Sequence, residues 1–224
     1  VGGGQVVDVS RFLTCIFGEP SENQIRVQPG VIHSDLDLFL KPFNLKFAPE
    51  ISTSNRCMIG GMIGNNAAGS HSVIYGTTRE HVVAIEALLT DGTVVEFGPL
   101  TDEQLEAKCT LPTLEGEIYR TVTGLINQHR PEILKRYPKP EIIRRNTGYP
   151  LDVLAQGQPW VKSGSLFNLA PFLCGTEGTL ALTLSATLNL IKIPKAKGLS
   201  CIHFTSLEQA MVATPVILKH QPAA

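Results

Sequence analysis

The residues best suited to ligand chemistry lie in one uncharged run near the middle of the chain. Residues 57–78 contain no Asp, Glu, Lys or Arg, yet they include five glycines and the adjacent pair Asn65 and Asn66. The apolar residues of this run, such as Ile59, would be left in water if it were a flexible linker. It is also too rich in Gly, Asn and Ser to span a membrane. We therefore expect buried, tightly turned backbone that approaches another group closely, as glycine permits.

The spacing of the glycines narrows the class of ligand. Neither the G-x-x-x-x-G-K-[ST] loop of nucleoside triphosphate sites nor the G-x-G-x-x-G turn of dinucleotide sites occurs around Gly60. Small residues and neutral hydrogen-bonding groups instead suit a large, flat, mostly apolar ring with polar edges. Composition alone leaves an equal alternative open, in which the run is a structural loop without a ligand.

Three ordered motifs carry a family resemblance. They are P-E-I-S-T-S-N-R-C-M-I-G-G-M-I-G-N-N-A-A-G with Y-G-T-T-R-E-H-V (49–69 and 75–82), N-T-G-Y (146–149) and C-G-T-E-G-T-L (174–180). Together they resemble the flavin-binding domain of FAD-linked 2-hydroxy-acid dehydrogenases of the vanillyl-alcohol-oxidase type, also called PCMH-type. D-lactate, glycolate and D-2-hydroxyglutarate dehydrogenases are members. The long bacterial members, which join this domain to a C-terminal iron–sulfur region, are the most similar.

The resemblance implies which residues contact FAD. The first loop and helix would line the isoalloxazine and ribityl portions, the Y-G pair would hold the same loop, and the C-G-T-E-G-T-L turn would close the far side near the nucleotide. The implied contacts are Pro49, Ser52, Thr53, Ser54, Gly60, Gly61, Asn65, Gly69, Ser70, Tyr75, Gly76, Glu177, Gly178 and Leu182.

The same resemblance implies a reaction. Flavin N5 would accept a hydride from the carbon that bears the hydroxyl of a small 2-hydroxy acid, leaving a 2-oxo acid, while the protein positions and tunes the ring. FAD is expected to be noncovalent, although Cys57 and His71 are chemically able to form a link. Acid–base and metal-binding residues of relatives come mainly from a cap domain, so no catalytic or metal-binding residue is assigned here. The electron acceptor stays open.

Composition excludes other classes of partner and site. The net charge of −1 and the scattered basic residues give no stripe for nucleic acid. Five widely spaced cysteines without a C-x-x-C pair provide neither an iron–sulfur nor a zinc ligand set. Reduced thiols indicate an intracellular protein, and we expect a cytoplasmic location. A peripheral contact of the full-length protein with the inner membrane is a separate expectation that does not come from the thiols. Iron–sulfur chemistry would belong to a downstream region.

Periodicity predicts an α+β fold with a mixed sheet flanked by helices. Alternating apolar residues over 180–190 predict a long half-buried strand. Two strands flanking Asp91-Gly92 predict a hairpin with a type I′ turn. A capping box begins a helix at Thr101, and a second helix is expected over about 114–129. Ser34 is expected to cap another helix, which makes the adjacent His33 a surface or capping residue.

The two ends of the chain predict truncation. Val1 opens a glycine run without an initiator Met, and the resemblance places a pyrophosphate loop upstream of it. Residues 1–198 would form the FAD-binding domain without that loop, and 199–224 the first strand and helix of the substrate-binding cap. We expect this chain alone to bind FAD weakly or not at all, to lack turnover, and to self-associate through an open sheet edge.

Two other functions stay open. One is a noncatalytic flavin-binding or assembly module, and the other is a flavin reductase of cell-wall precursor synthesis, which would take electrons from a nicotinamide. The N-T-G-Y segment and the predicted C-terminal strand and helix favour the dehydrogenase.

Overall fold

The computed structural model describes residues 6–139, 141–142 and 149–223 of the 224-residue chain. Residues 1–5 and the first three positions of the N-T-G-Y motif therefore lie outside the described residues. Six strands form within the described part: β1 (Ile16–Ser21), β2 (Gln24–Val27), β3 (Leu45–Phe47), β4 (Val82–Leu88), β5 (Val94–Phe97) and β6 (Leu182–Lys192).

Eight α-helices accompany these strands in the described part. They are α1 (His33–Leu40), α2 (Ile59–Asn65), α3 (Ser72–Tyr75), α4 (Asp102–Thr110), α5 (Leu114–Arg136), α6 (Leu151–Ala155), α7 (Ala170–Leu173) and α8 (Leu207–Leu218). None of these described helices combines the length and apolar character needed to cross a lipid bilayer.

Strand β6 is the centre of the sheet. It pairs with β2 on one side and with β4 and β3 on the other, so that the strand order runs β1-β2-β6-β4-β5. Every strand pair among the described residues is antiparallel. The α+β class is therefore confirmed, whereas the expectation of a mixed sheet is wrong for this part of the chain.

The alternation predicted over 180–190 is confirmed only in the second half of β6, since Leu182 and Leu184 fall in the same half-buried class as Thr183 between them. Ala186, Leu188 and Leu190 are buried, whereas Asn189 between them is exposed. Leu188 lies opposite Ile25 of β2 on one side of the strand. One face of the sheet thus contributes apolar side chains to the core, as period-two alternation requires.

Helix α5 packs an aromatic cluster against this core. The Tyr119 ring lies 6.0 Å from Phe97 of β5 and 6.1 Å from Phe167, and both Tyr119 and Phe167 are almost fully buried. Burial raises the pKa of the Tyr119 hydroxyl. Each such ring stabilises the fold by roughly 2–3 kcal/mol relative to an exposed one.

The predicted helix starts are partly confirmed. At α4, Thr101 Oγ1 accepts from the Gln104 amide and Gln104 Oε1 accepts from the Thr101 amide, which is the predicted capping box. Helix α5 begins where expected but continues to Arg136, beyond the predicted end near His129. It passes through Pro131, because burial of Ile133 on its packed face outweighs the one hydrogen bond that proline removes.

The hairpin between β4 and β5 forms where predicted, with a different turn. A type I′ turn requires positive φ at two positions, but within this turn only Gly92 has it, with φ 85°. The Gly92 amide donates to Leu89 O at 3.1 Å, and the Leu89 amide donates to Thr93 O at 2.9 Å. This is a type I turn followed by a left-handed glycine, so the predicted turn type is wrong.

The expectations for Ser34 and His33 are wrong. Helix α1 starts at His33, its N-cap is Ile32, and no side chain caps it. His33 is 1% exposed and packs edge-on against Phe47, with ring centroids 6.0 Å apart. The apolar stripe of the helix draws its first turn into the core and takes His33 with it.

The C-terminal segment is confirmed in part. Ser206 Oγ accepts from the Gln209 amide at 3.2 Å and starts α8, the helix expected within residues 199–224. Residues 199–204 form no strand, because they make no ladder with another segment of the described chain. No residue of α8 is buried. The division at residue 198 stays a prediction.

Candidate cofactor-binding site

The first predicted segment is a tight loop between β3 and α2. The Cys57 amide donates to Thr53 O at 2.9 Å, which folds the loop back on itself. Pro49 is buried, Thr53 and Ser54 are half-buried, and Ser52 is exposed. The loop therefore presents small polar residues at the surface.

The start of α2 is already hydrogen-bonded within the chain. The Ile59 amide donates to Val31 O at 2.9 Å, and the Gly60 amide donates to Pro29 O at 2.8 Å. These two amides at the start of the helix are therefore not free to donate to a ligand. The backbone before α1 takes the place of a ligand there.

The two adjacent glycines of α2 have different surroundings. A Cβ at Gly60 would lie 2.5 Å from Pro29 Cβ, so this position must be glycine for packing alone. A Cβ at Gly61 would meet nothing within 4 Å, and Gly61 is exposed. Internal packing therefore explains Gly60 and leaves Gly61 unexplained.

A close backbone crossing fixes the next part of the run. A Cβ at Gly69 would lie 1.4 Å from Glu50 O, so no other residue fits without moving the backbone. Ser70 follows directly and is exposed. This crossing joins the loop after β3 to the segment after α2, and both carry predicted contacts.

Glu50 gathers three basic side chains beside this crossing. Lys46 Nζ donates to Glu50 Oε1, Lys197 Nζ lies 3.5 Å from the same oxygen, and His71 Nδ1 lies 2.8 Å from Oε2. Partial burial acts to raise the pKa of the Glu50 carboxyl, but Lys46, Lys197 and His71 outweigh it and hold the pKa below its usual value. The Lys46 side chain is 9% exposed, so this ion pair is shielded from water on one side.

A second ionisable pair lies deeper. His33 Nε2 is 3.6 Å from Asp37 Oδ2, and Asp37 Oδ1 accepts from the Phe47 amide at 3.0 Å. Burial lowers the pKa of His33 and raises the pKa of Asp37. The pair supports β3 from beneath. The sequence pattern did not predict this pair, because His33 stands next to Ser34, which was expected to cap the helix at the surface.

The end of α2 brings two distant motifs together. The Gly175 amide donates to Ile63 O and the Glu177 amide donates to Gly64 O, each at 2.9 Å. Asn65 Nδ2 adds a contact to Glu177 Oε1 at 3.0 Å. These bonds satisfy carbonyls that a helix end leaves without partners. The glycine-rich run and the C-G-T-E-G-T-L turn are thus one structural unit.

The C-G-T-E-G-T-L turn depends on left-handed backbone. Glu177 and Gly178 have φ values of 54° and 71°, and a Cβ at Gly178 would meet nothing within 4 Å. Tyr149, the described residue of the N-T-G-Y motif, has its hydroxyl 3.2 Å from Thr179 Oγ1. Leu182 then begins β6 opposite Leu88. The third motif therefore touches the second.

The Y-G-T-T-R segment turns the chain from α3 into β4. Gly76 has φ 76°, a conformation that favours glycine. Thr77 and Glu80 form a reciprocal capping box immediately after it. Lys46 Nζ lies 5.5 Å from the centre of the Tyr75 ring, which connects this segment to the Glu50 cluster.

Two residues that sequence reasoning left unassigned hold these segments in place. Asn66 has φ 53°, and its Oδ1 accepts from Thr77 Oγ1 and from the Arg79 amide, both at 2.9 Å. Arg79 is 7% exposed, and its guanidinium reaches Cys174 O at 2.7 Å. The quoted motifs contained both residues, but no local pattern marks a buried arginine as a link between loops.

The predicted contacts divide into buried and open positions. Pro49 and Gly69 are buried, and Gly60 packs against Pro29. The open positions are mostly small and neutral, with one carboxylate: Ser52, Gly61, Asn65, Ser70, Glu177 and Gly178. Small, neutral groups of this kind are suited to contact with a flat ring. Among the described residues, no three His, Cys, Asp or Glu side chains form a metal site.

Comparison with known proteins agrees with this geometry. Residues 1–98 match the family model described as FAD binding domain. The chain is 35% identical over 219 residues to D-2-hydroxyglutarate dehydrogenase of Pantoea ananatis, and 37% identical over 220 residues to that of Pseudomonas putida. These alignments cover 97% and 98% of the chain and 21% of each relative.

Over almost its whole length the chain is similar to a segment of these FAD-linked 2-hydroxy-acid dehydrogenases. It spans about a fifth of the length of the curated relatives it matches, 21% in both cases. A solved structure of alkyldihydroxyacetonephosphate synthase is similar in fold, with a TM-score of 0.53 and 13% sequence identity, over 94% of this chain and 27% of that one. The PCMH-type FAD-binding fold is therefore confirmed.

Proposed function

We propose that this sequence forms part of the flavin-binding site of an enzyme that oxidises a D-2-hydroxy acid to a 2-oxo acid. The observation that carries the proposal is the joint between α2 and the 174–178 turn. It unites the two motifs that the family resemblance assigns to FAD, and it leaves Gly61 and Gly178 open at the surface. The relatives that match almost the whole chain are named D-2-hydroxyglutarate dehydrogenases, so D-2-hydroxyglutarate is our first candidate substrate.

The residues present fit an FAD held without a covalent bond. Gly61 and Gly178 offer backbone with no side chain in the way, and exposed Ser52 and Ser70 offer hydroxyl groups for hydrogen bonds. Bound flavin would supply the acceptor for the substrate hydride at N5. The protein would bind the ring, orient it and exclude water from one face.

The Glu50 cluster is close to these contacts and gives the region its charge. Lys46 and Lys197 with Glu50 leave a net positive charge beside the open surface. A nearby cation favours negative charge on a bound ring and its polar edge. We propose that this cluster raises the affinity of the site for reduced flavin.

The experiment uses the whole natural protein that carries this sequence. Purified protein is expected to show a flavin absorption spectrum that is bleached anaerobically by D-2-hydroxyglutarate. The L enantiomer is the matched control and should leave the spectrum unchanged. Flavin removal by acid precipitation tests noncovalent binding, because a covalent flavin would stay with the protein.

Other outcomes distinguish the alternatives. Bleaching by a reduced nicotinamide and by no 2-hydroxy acid would favour the reductase. A bound flavin that neither reagent reduces would favour a noncatalytic module. A protein that holds no flavin at all would overturn the proposal.

Three further proposals concern the surroundings of the enzyme. The five cysteines are all free thiols, which supports a reducing, cytoplasmic location, with a peripheral contact to the inner membrane. Strands β1 and β5 are the two edges of the described sheet, which supports self-association by strand pairing. Iron–sulfur centres, where this enzyme uses them, would be held by a region downstream.

A further inference from the structure

Arg79 is buried at the junction of the two segments that carry the predicted FAD contacts. Its guanidinium donates from Nη2 to Cys174 O at 2.7 Å and from Nε to Pro171 O at 3.2 Å. Pro171 lies in the first turn of α7, and Cys174 follows that helix directly as the first residue of the 174–178 turn. Its own backbone amide donates to Asn66 Oδ1 at 2.9 Å, at the end of α2.

The glycine at the turn is matched to this arginine. A Cβ at Gly175 would lie 3.2 Å from Arg79 Nη2, and Gly175 has φ 92°. A side chain at this position would require the guanidinium to move by a few tenths of an ångström and would strain the left-handed backbone. The Gly175 amide also donates to Ile63 O at 2.9 Å. The turn is therefore hydrogen-bonded both to the Arg79 side chain and to the end of α2.

We propose that Arg79 is a positioning residue that sets the distance between the glycine-rich run and the 174–178 turn, and thereby the fit of the flavin site. This inference rests on the proposed function for its cofactor. Arginine suits the task because its planar fork can donate to two carbonyls at fixed angles, which the single ammonium of lysine cannot reproduce.

The chain contains a matched control for this arginine. Arg120 Nη1 donates to Cys109 O at 2.7 Å and to Leu111 O at 2.8 Å, at the end of α4. Like Arg79 it donates to backbone carbonyls near the end of a helix, but no predicted FAD contact belongs to α4 or α5. Arg120 is exposed whereas Arg79 is buried, so Arg120→Lys controls for the loss of two carbonyl contacts at a helix end away from the predicted FAD contacts, and not for burial.

The first readout is FAD affinity in the whole natural protein that carries this sequence. We expect Arg79→Lys to weaken FAD binding by roughly tenfold or more, because loss of one charged hydrogen bond has that effect. The visible circular dichroism of the bound flavin should also change. Arg120→Lys should leave both unchanged. Arg79→Gln, which keeps one amide donor without a buried charge, provides a second test if the lysine variant folds poorly.

The second readout needs no cofactor. Amide hydrogen exchange at Gly175 and Glu177 should accelerate by about tenfold in Arg79→Lys, and not in Arg120→Lys. Unchanged exchange in the Arg79 variants would overturn the positioning role, whether or not FAD binds. Accelerated exchange with unchanged FAD affinity would also overturn it, since the loops would then move without consequence for the site. A wild-type protein that contains no flavin would instead contradict the proposed function. The exchange measurement would still test whether Arg79 holds the 174–178 turn in place.

Discussion

Two parts of the same glycine-rich run use small residues for opposite reasons. At the closed part, Gly69 crosses the backbone of Glu50 so tightly that a Cβ would lie 1.4 Å from the carbonyl oxygen. At the open part, Gly61 faces outward, and a Cβ there would meet nothing within 4 Å. Both are glycine, but only the closed one is required by the fold as it stands.

The difference separates framework from binding surface. Closed positions keep the loops in register, and a change there is expected to cost folding free energy. Open positions are not required for packing, so a change there is expected to affect only what the surface binds. Stability and FAD affinity, measured together on matched variants, therefore distinguish the two parts.

The largest effect is expected at the closed part. Gly69→Ala should destabilise the protein by about 3 kcal/mol, because the backbone of Glu50 must move to accept the methyl group. Urea denaturation gives the free energy of unfolding. Gly124→Ala is the control, because Gly124 lies in α5 with nothing within 4 Å, and alanine there should stabilise by about 0.5–1 kcal/mol. Equal stability of the two variants would contradict the division.

A smaller loss is expected when the charge beside the crossing is removed. Glu50→Gln leaves Lys46, whose side chain is 9% exposed, without its anion and should cost about 2 kcal/mol at neutral pH. Because the pKa of Glu50 lies below its ordinary value of 4.5 in the folded protein, its stabilisation is complete above about pH 4.5 and is lost as the pH falls through the folded pKa.

Unfolding measured at several pH values tests this charge effect. The stability gap between wild type and Glu50→Gln should close on acidification. A gap that stays constant down to pH 3 or so would mean that the carboxylate charge is not what stabilises this crossing.

The contact between Asn65 and Glu177 should contribute least to stability. Asn65→Ala removes one exposed hydrogen bond and should cost about 0.5 kcal/mol. Asn127→Ala is matched to it, because Asn127 accepts one exposed bond, from Trp160 Nε1. Both variants should unfold at nearly the same denaturant concentration, but only Asn65→Ala should weaken FAD binding. Equal FAD affinity of the Asn65→Ala and Asn127→Ala proteins would show that Asn65 does not contact FAD.

Local pattern was enough for several elements of the fold. The alternation of Leu188 with Asn189 and the Thr101–Gln104 box both predicted structure that formed. Pattern failed where packing overrides propensity: α5 continues through Pro131, and His33 is buried although it stands next to a residue suited to capping. The predicted turn type at Gly92 was wrong because hairpins of similar sequence can use different turn types.

The candidate site required information that no window of sequence contains. The amides of Gly175 and Glu177 donate to the end of α2. Gly175 and its acceptor Ile63 are 112 positions apart in the sequence. Only the family resemblance grouped those motifs, and it did not single out Asn66 or Arg79. Their role depends on three-dimensional proximity between loops, which periodicity does not encode.

The central claim is that the open small-residue surface lies against FAD, and Gly61→Leu tests it most directly. The leucine has room, so the free energy of unfolding without flavin should stay within about 1 kcal/mol of wild type. FAD titration of the whole natural protein, followed by flavin fluorescence, should nevertheless show at least about tenfold weaker binding, because the added side chain would separate ring from backbone. Unchanged FAD affinity in a normally folded Gly61→Leu protein would contradict the account.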